Sequence, residues 1–121
     1  MSSDGDQLRQ PPVTGVESEN EVVVVHLAGE LDVSNAGEVK AALREAGDHG
    51  RDRLVVDLAG VSFVDSAALA VLIDARRRQQ AHGSFHLAAP GHEVRRALAI
   101  SGLDRQLAVH DSVEDALTAS A

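Results

Sequence analysis

Apolar residues fall along the chain in two alternating rhythms. Short β-branched runs recur, and each gives way to a stretch with apolar residues three and four apart. The first run lies in "EVVVVHLAGELD". Val22 to Leu27 are nearly all apolar, which predicts a strand covered on both faces. Around Pro12 to Gly15 a short edge strand is expected, since proline is tolerated at a sheet edge. "VSNAGEVKAALREAGDHG" predicts a helix. Ala36, Val39, Leu43 and Ala46 make its apolar stripe, Asn35 and Glu38 have the spacing of a capping box, and Gly47 and Gly50 stop it. Leu54 to Leu58 predict the next strand. "VDSAALAVLIDARRRQQAHG" predicts a helix with Leu69, Leu72 and Ile73 inward and Gly83 as its stop. "SFHLAAP" is the third core strand. "GHEVRRALAISGL" follows as a helix with Val94, Ala97 and Leu98 inward and Gly102 at its end. "QLAVH" is a short fourth core strand, and "DSVEDALTAS" closes the chain as a helix opened by Asp111 and Glu114, again at capping-box spacing.

The pattern is an edge strand and then four strand–helix units. Strands alternating with helices of this length imply right-handed crossovers and a mostly parallel sheet with helices packed on it, an α/β fold. The 121 residues fit one such domain. Residues 1–11 are polar and are expected to be a disordered tail, with the domain over 12–121.

Composition narrows the function. Only two residues are aromatic, Phe63 and Phe85, so the core is aliphatic and the stacking platforms of single-strand nucleic-acid binding are missing. The formal net charge of -8 repels nucleic acid and anionic membranes. Arg76-Arg77-Arg78 breaks that pattern locally, as the solvated face of a helix or part of a docking surface. There is no cysteine, so disulfides and thiolate metal sites are excluded. No apolar run approaches the roughly 20 residues of a membrane span, and the first residues lack the parts of a signal peptide. A cytoplasmic protein is expected.

Enzyme motifs are missing from the sequence. It has no P-loop, no G-x-G-x-x-G after the first core strand and no G-x-S-x-G elbow. The six histidines form no metal-binding pair on one helix; His26 and His86 fall within strands and read as satisfied core or edge residues. A phosphoaspartate receiver would need a lysine after its last strand, and the one lysine, Lys40, is in the first helix. Asp65-Ser66, at a strand-to-helix junction, remains. Either side chain can cap the helix. A phosphoryl group on Ser66 would also be accommodated there, because free amides and the helix dipole receive negative charge. Its repulsion would act outward on a docked partner and on Asp65 beside it. A cap and a phosphorylation switch are thus both open from the residues alone.

"LAGELDVSNAGEV", "LVVDLAGVSFVDSAALAVLI" and the terminal "VHDSVEDAL" resemble the STAS domain of bacterial anti-sigma factor antagonists. The resemblance runs from about Pro12 to the C-terminus. It implies a protein-binding switch with no cofactor and no catalytic residues of its own. The unmodified antagonist binds an anti-sigma factor, a serine kinase of the GHKL ATPase class, and so frees a sigma factor for transcription. The kinase phosphorylates the serine after the motif aspartate, the modified form lets go, and a PP2C-type phosphatase resets it. ATP and magnesium belong to the kinase. Carried over by position, the phosphoacceptor is Ser66, Asp65 is the adjacent carboxylate, and Asp32 matches the loop aspartate near the site. Many family members have Ser or Thr and then Gly after the motif serine; here these are Ala67 and Ala68, which leaves Ser66 as the one hydroxyl in the motif. The same two alanines motivate a second reading, a STAS scaffold subunit that is never phosphorylated, as in a lipid-transport or stress-sensing complex. Monomer and weak dimer are both compatible with the sequence.

Overall fold

The computed structural model describes residues 10–48 and 51–119. Most of the tail expected at the N-terminus and the stop expected at Gly50 lie outside these residues. The strands are β1 (Val13–Glu19), β2 (Val22–Leu31), β3 (Arg53–Val64), β4 (Ser84–Ala88) and β5 (Ala108–His110). The helices are α1 (Ala36–Gly47), α2 (Ser66–Gln79), α3 (His92–Ser101) and α4 (Val113–Thr118), with a 3-10 turn over Leu103–Arg105. The expected order of one edge strand and four strand–helix units holds throughout.

The sheet order is β1-β2-β3-β4-β5. β1 pairs antiparallel with β2, and the other pairs are parallel. The β1–β2 hairpin turns at Asn20, whose φ of 57° suits asparagine better than most side chains. Each crossover steps one strand further in the same direction. Crossovers of one hand then place their helices on one face. Accordingly α1, α2 and α3 share a core with Val23, Val25, Leu27, Leu54, Val56, Leu58, Phe85 and Leu87. Among the described residues the opposite face is covered by α4 alone, where Ala116 meets Val24, Val55 and Ala88. The expectation that β2 is covered on both faces therefore holds for Val23 to Val25 but not for Val22 and His26, which are half-buried.

Several boundaries differ from expectation. β3 runs on to Val64 instead of ending at Leu58, because β2 also extends and the two pair from Ala28↔Gly60 to Leu31↔Val64. This extension crosses two register shifts, one beside Gly29 at φ 82°. Gly60 gives the close approach room: a Cβ would lie 3.1 Å from the Ala28 Cβ and 3.2 Å from the Leu27 carbonyl oxygen, tighter than ordinary contact. The inward face of α2 is rotated from the expected one. Ala68, Val71, Leu72, Ala75 and Gln79 are buried, whereas Leu69 and Ile73 are only partly so. Alanines let the helix sit close to the sheet, and the larger side chains fill its flanks. α1 buries the four expected residues, but Asn35 makes no side-chain cap. Its side chain bonds backward, its Oδ1 accepting from the Asp32 amide and its Nδ2 donating to the Glu30 carbonyl. α4 is capped by Ser112, which accepts from the Asp115 amide, not by Asp111. Asp111 instead pairs with Arg95 at 2.7 Å.

Candidate functional site

The extended ends of β2 and β3 carry the two loops of interest side by side. Parallel strands deliver their carboxyl ends to one edge of the sheet, where ligands and partners are commonly met. The β2–α1 loop begins at Asp32, and the β3–α2 junction is Asp65-Ser66. The Asp65 amide donates to the Leu31 carbonyl at 3.1 Å, which ties the junction to the end of β2.

Asp65 is the N-cap of α2. Its Oδ1 accepts from the Ala68 amide at 3.0 Å, and its backbone is extended. Its Oδ2 accepts from the Val33 amide, also at 3.0 Å. One carboxylate therefore caps the helix and clamps the neighbouring loop. Asp32 organises that loop from within: its Oδ1 accepts from the Ser34 amide at 3.0 Å and from the Ser34 hydroxyl at 2.6 Å. Its carbonyl accepts from the amides of Asn35 and Ala36.

Ser66 is the first residue of α2 and is exposed. Because Asp65 does the capping, the Ser66 hydroxyl has no hydrogen-bond partner among the described residues. The opening amides of α2 have no acceptor one turn back, so partial positive charge gathers beside that hydroxyl. Ala67 is half-buried and Ala68 is buried at 4% exposure. The Ala68 methyl faces the core, so this position meets a partner only through its backbone. Asp32, Asp65, Ser66 and Ala67 thus share the surface, and Ala68 underlies it.

Two large apolar side chains flank the junction in the open. Val33 is 78% exposed and Phe63 is 48% exposed. Sequence reasoning did not single out either. Phe63 pairs in register with Glu30, and its exposure follows from the unexpected length of β3. The clamp from Asp65 to Val33 joins residues 32 apart, so no local spacing announces it. From 28 to 39 and from 59 to 73 the chain carries Glu30, Asp32, Glu38 and Asp65 and no lysine or arginine. Arg76-Arg77-Arg78 lie at the far end of α2; Arg78 pairs there with Asp48 at 3.1 Å.

His26 and His86 lie elsewhere, on the strand face that carries Val24 and Ala88 under α4. His26 Nδ1 lies 2.6 Å from Asp57 Oδ2, and its Nε2 lies 2.8 Å from Glu17 Oε1. Carboxylates only accept, so both ring nitrogens donate, and the bonds to Glu17 and then Asp57 raise the His26 pKa above its usual 6.5. His86 is buried, with Nδ1 2.9 Å from His110 Nε2 and Nε2 3.0 Å from the Ser84 hydroxyl. Burial, then the nearby charges of Arg53 and His110, push its pKa down to about 4. Both are satisfied strand residues, as expected, though the carboxylates on either side of His26 were not foreseen. Among the described residues no cluster of histidine, aspartate and glutamate could hold a metal ion, and no helix is long and apolar enough to cross a membrane.

Comparison with known proteins agrees with this architecture. A family model described as the STAS domain matches residues 14–116. The anti-sigma-F factor antagonist RsfB of Mycobacterium tuberculosis is 30% identical over 103 residues, covering 85% of this chain and 84% of the relative. The crystal structure of an anti-sigma factor antagonist from Mycobacterium paratuberculosis superposes with a TM-score of 0.82 at 30% identity, covering 88% of this chain and 92% of that one. SpoIIAA of Bacillus has been solved in both states. Its unphosphorylated form matches with a TM-score of 0.72 at 26% identity, covering 85% of this chain and 91% of that one. Its phosphorylated form gives 0.66 at 25%, covering 85% and 95%. With the family model spanning most of the chain and the five-stranded sheet matching its solved relatives, this protein belongs to the STAS domain family.

Proposed function

We propose that this chain is an anti-sigma factor antagonist working in the cytoplasm by binding, with no catalysis of its own. Its unmodified form docks an anti-sigma factor, a GHKL-type serine kinase, through the surface around Asp32, Asp65, Ser66 and Ala67, and so releases a sigma factor. The kinase phosphorylates Ser66, the complex dissociates, and a PP2C-type phosphatase restores the binding form.

The observation that carries this reading is the division of work between Asp65 and Ser66. Asp65 caps α2, and the Ser66 hydroxyl stands exposed with no structural bond to lose. A phosphate there adds about -1.5 to -2 charge at the positive end of a helix, where the fold tolerates it and a docked partner does not. The names of the relatives support the antagonist role, and SpoIIAA, solved with and without phosphate, supports the switch.

A pull-down with the unmodified protein as bait identifies the kinase. That kinase, with ATP, then places one phosphate on the wild type and none on Ser66→Ala, and Ser66→Asp fails to capture it. Labelling that survives in Ser66→Ala sinks the assignment. The scaffold reading rests on Ala67 and Ala68, and equal capture of partners by wild type and Ser66→Asp would favour it.

A further inference from the structure

Val33 and Phe63 stand in the open beside Asp65-Ser66, at 78% and 48% exposure. Single exposed apolar side chains are ordinary on a protein surface, and Val16 on β1 and Ile100 on α3 are of that kind. Val33 and Phe63 differ because both are tied to one residue. Phe63 is two positions before Asp65 in the chain, and the Val33 amide donates to Asp65 Oδ2 at 3.0 Å. Val61 and Val64, on either side of Phe63, turn into the core under the helices, and Phe63 is left outside it. The one other aromatic residue, Phe85, is buried.

Neither side chain sits on a loose segment. Phe63 is held by the pairing of β3 with Glu30 on β2, and Val33 by the clamp from Asp65. An anchor already fixed in place loses little freedom when a partner covers it. The segments around them carry Glu30, Asp32, Glu38 and Asp65 and neither lysine nor arginine. An apolar centre with an acidic surround is complementary to an apolar recess edged by arginine or lysine.

Building on the antagonist function proposed above, we propose that Phe63 and Val33 are the anchors by which the anti-sigma kinase is held. Each fills an apolar recess on the kinase, and basic side chains of the kinase face the β2–α1 loop. The anchors set the affinity, the acidic loop sets the rate of encounter, and Ser66 beside them receives the phosphate. Affinity and phosphate acceptance then belong to different residues and can be separated.

The probe is the purified kinase that labels Ser66. Wild type, Phe63→Thr, Val33→Ser and Ile100→Ser are compared by calorimetry, association rate and rate of phosphorylation. Threonine keeps a strand former at position 63, and Val33 is an exposed loop residue, so both variants fold, as their amide spectra and melting temperatures check. Phe63→Thr binds about tenfold more weakly and Val33→Ser about fivefold, from the apolar area each no longer buries. KM for the protein substrate rises by a similar factor, while kcat for labelling Ser66 stays within about twofold. Ile100→Ser, a comparable loss of exposed apolar surface on α3, binds as wild type. Association slows as salt is raised from about 50 to about 500 mM. Binding within about twofold of wild type in both anchor variants, while Ser66 is still labelled, overturns the anchors and leaves the antagonist function standing. Equal weakening in Ile100→Ser, or association that quickens with salt, also overturns the proposal. If no kinase labels wild-type Ser66, the antagonist function itself falls, and the anchors with it.

Discussion

Asp65 and Ser66 are neighbours with opposite structural duties. Asp65 accepts two backbone hydrogen bonds, one from its own helix and one from the β2–α1 loop. Removing a capping side chain costs about 1–2 kcal/mol. Asp65→Ala is therefore expected to lose about 2 kcal/mol in urea denaturation, at the upper end because the loop amide loses its acceptor too. Ser66→Ala removes an exposed, unbonded hydroxyl and is expected to stay within about 0.5 kcal/mol of wild type. Equal losses in the two variants would mean that the serine is a structural cap. Half of this division was legible in the sequence. Asp65 to Ala68 has the local three-residue spacing of a cap. That Asp65, and not Ser66, takes the role depends also on Val33, which only the tertiary pairing of β2 with β3 brings near.

Among the elements, the paired ends of β2 and β3 position the site. They run past β4, whose pairing with β3 ends at Asp57↔Ala88, so the last residues of β3 have a strand neighbour on one side only. Close approach at Ala28 and Gly60 holds this two-stranded tongue together. Gly60→Val forces side-chain bulk into that contact and is expected to cost about 1–3 kcal/mol by thermal or urea unfolding. It should also disturb the amide signals of Val33 and Ser66, which the tongue supports. Wild-type stability would show that the contact is looser than drawn. The sequence pointed to a short strand here because "AGVSFV" mixes glycine and serine with apolar residues and breaks the alternation. Its strand character comes from pairing with "AGEL" across two register shifts, and a single chain's pattern does not encode a bulge in its partner. The α2 stripe was misjudged for a related reason. Leu69 and Ile73 outrank alanine in hydrophobicity, but the position nearest the sheet selects for small size.

Across the whole molecule, stability responds to pH in opposite directions through two histidines on the α4 side of the sheet. His26 has a raised pKa, so the stability it contributes is full below 6.5 and is lost as pH rises through its higher folded value. His86 is held neutral with a pKa of about 4, so its contribution is full above 6.5 and is lost as pH falls toward 4. These two residues together place the greatest stability near pH 6.5. Melting temperatures across pH 4–9 should fall on both sides of that value, and His26→Gln should flatten the alkaline limb. An unchanged alkaline limb in that variant would remove His26 as its cause. The order of elements along the chain and the count of strand–helix units were legible in the sequence because every unit repeats the same switch in periodicity. The polar network under α4 was not, since Glu17, His26 and Asp57 come from three strands whose register no local pattern sets. The consecutive strand order described above also bears on how the chain is made. Each strand pairs with the one before it in sequence, so a chain growing from its N-terminus always presents a finished edge to the next arrival. No strand waits for a distant partner, and the loops to be closed are as short as crossovers allow, which favours early folding during synthesis.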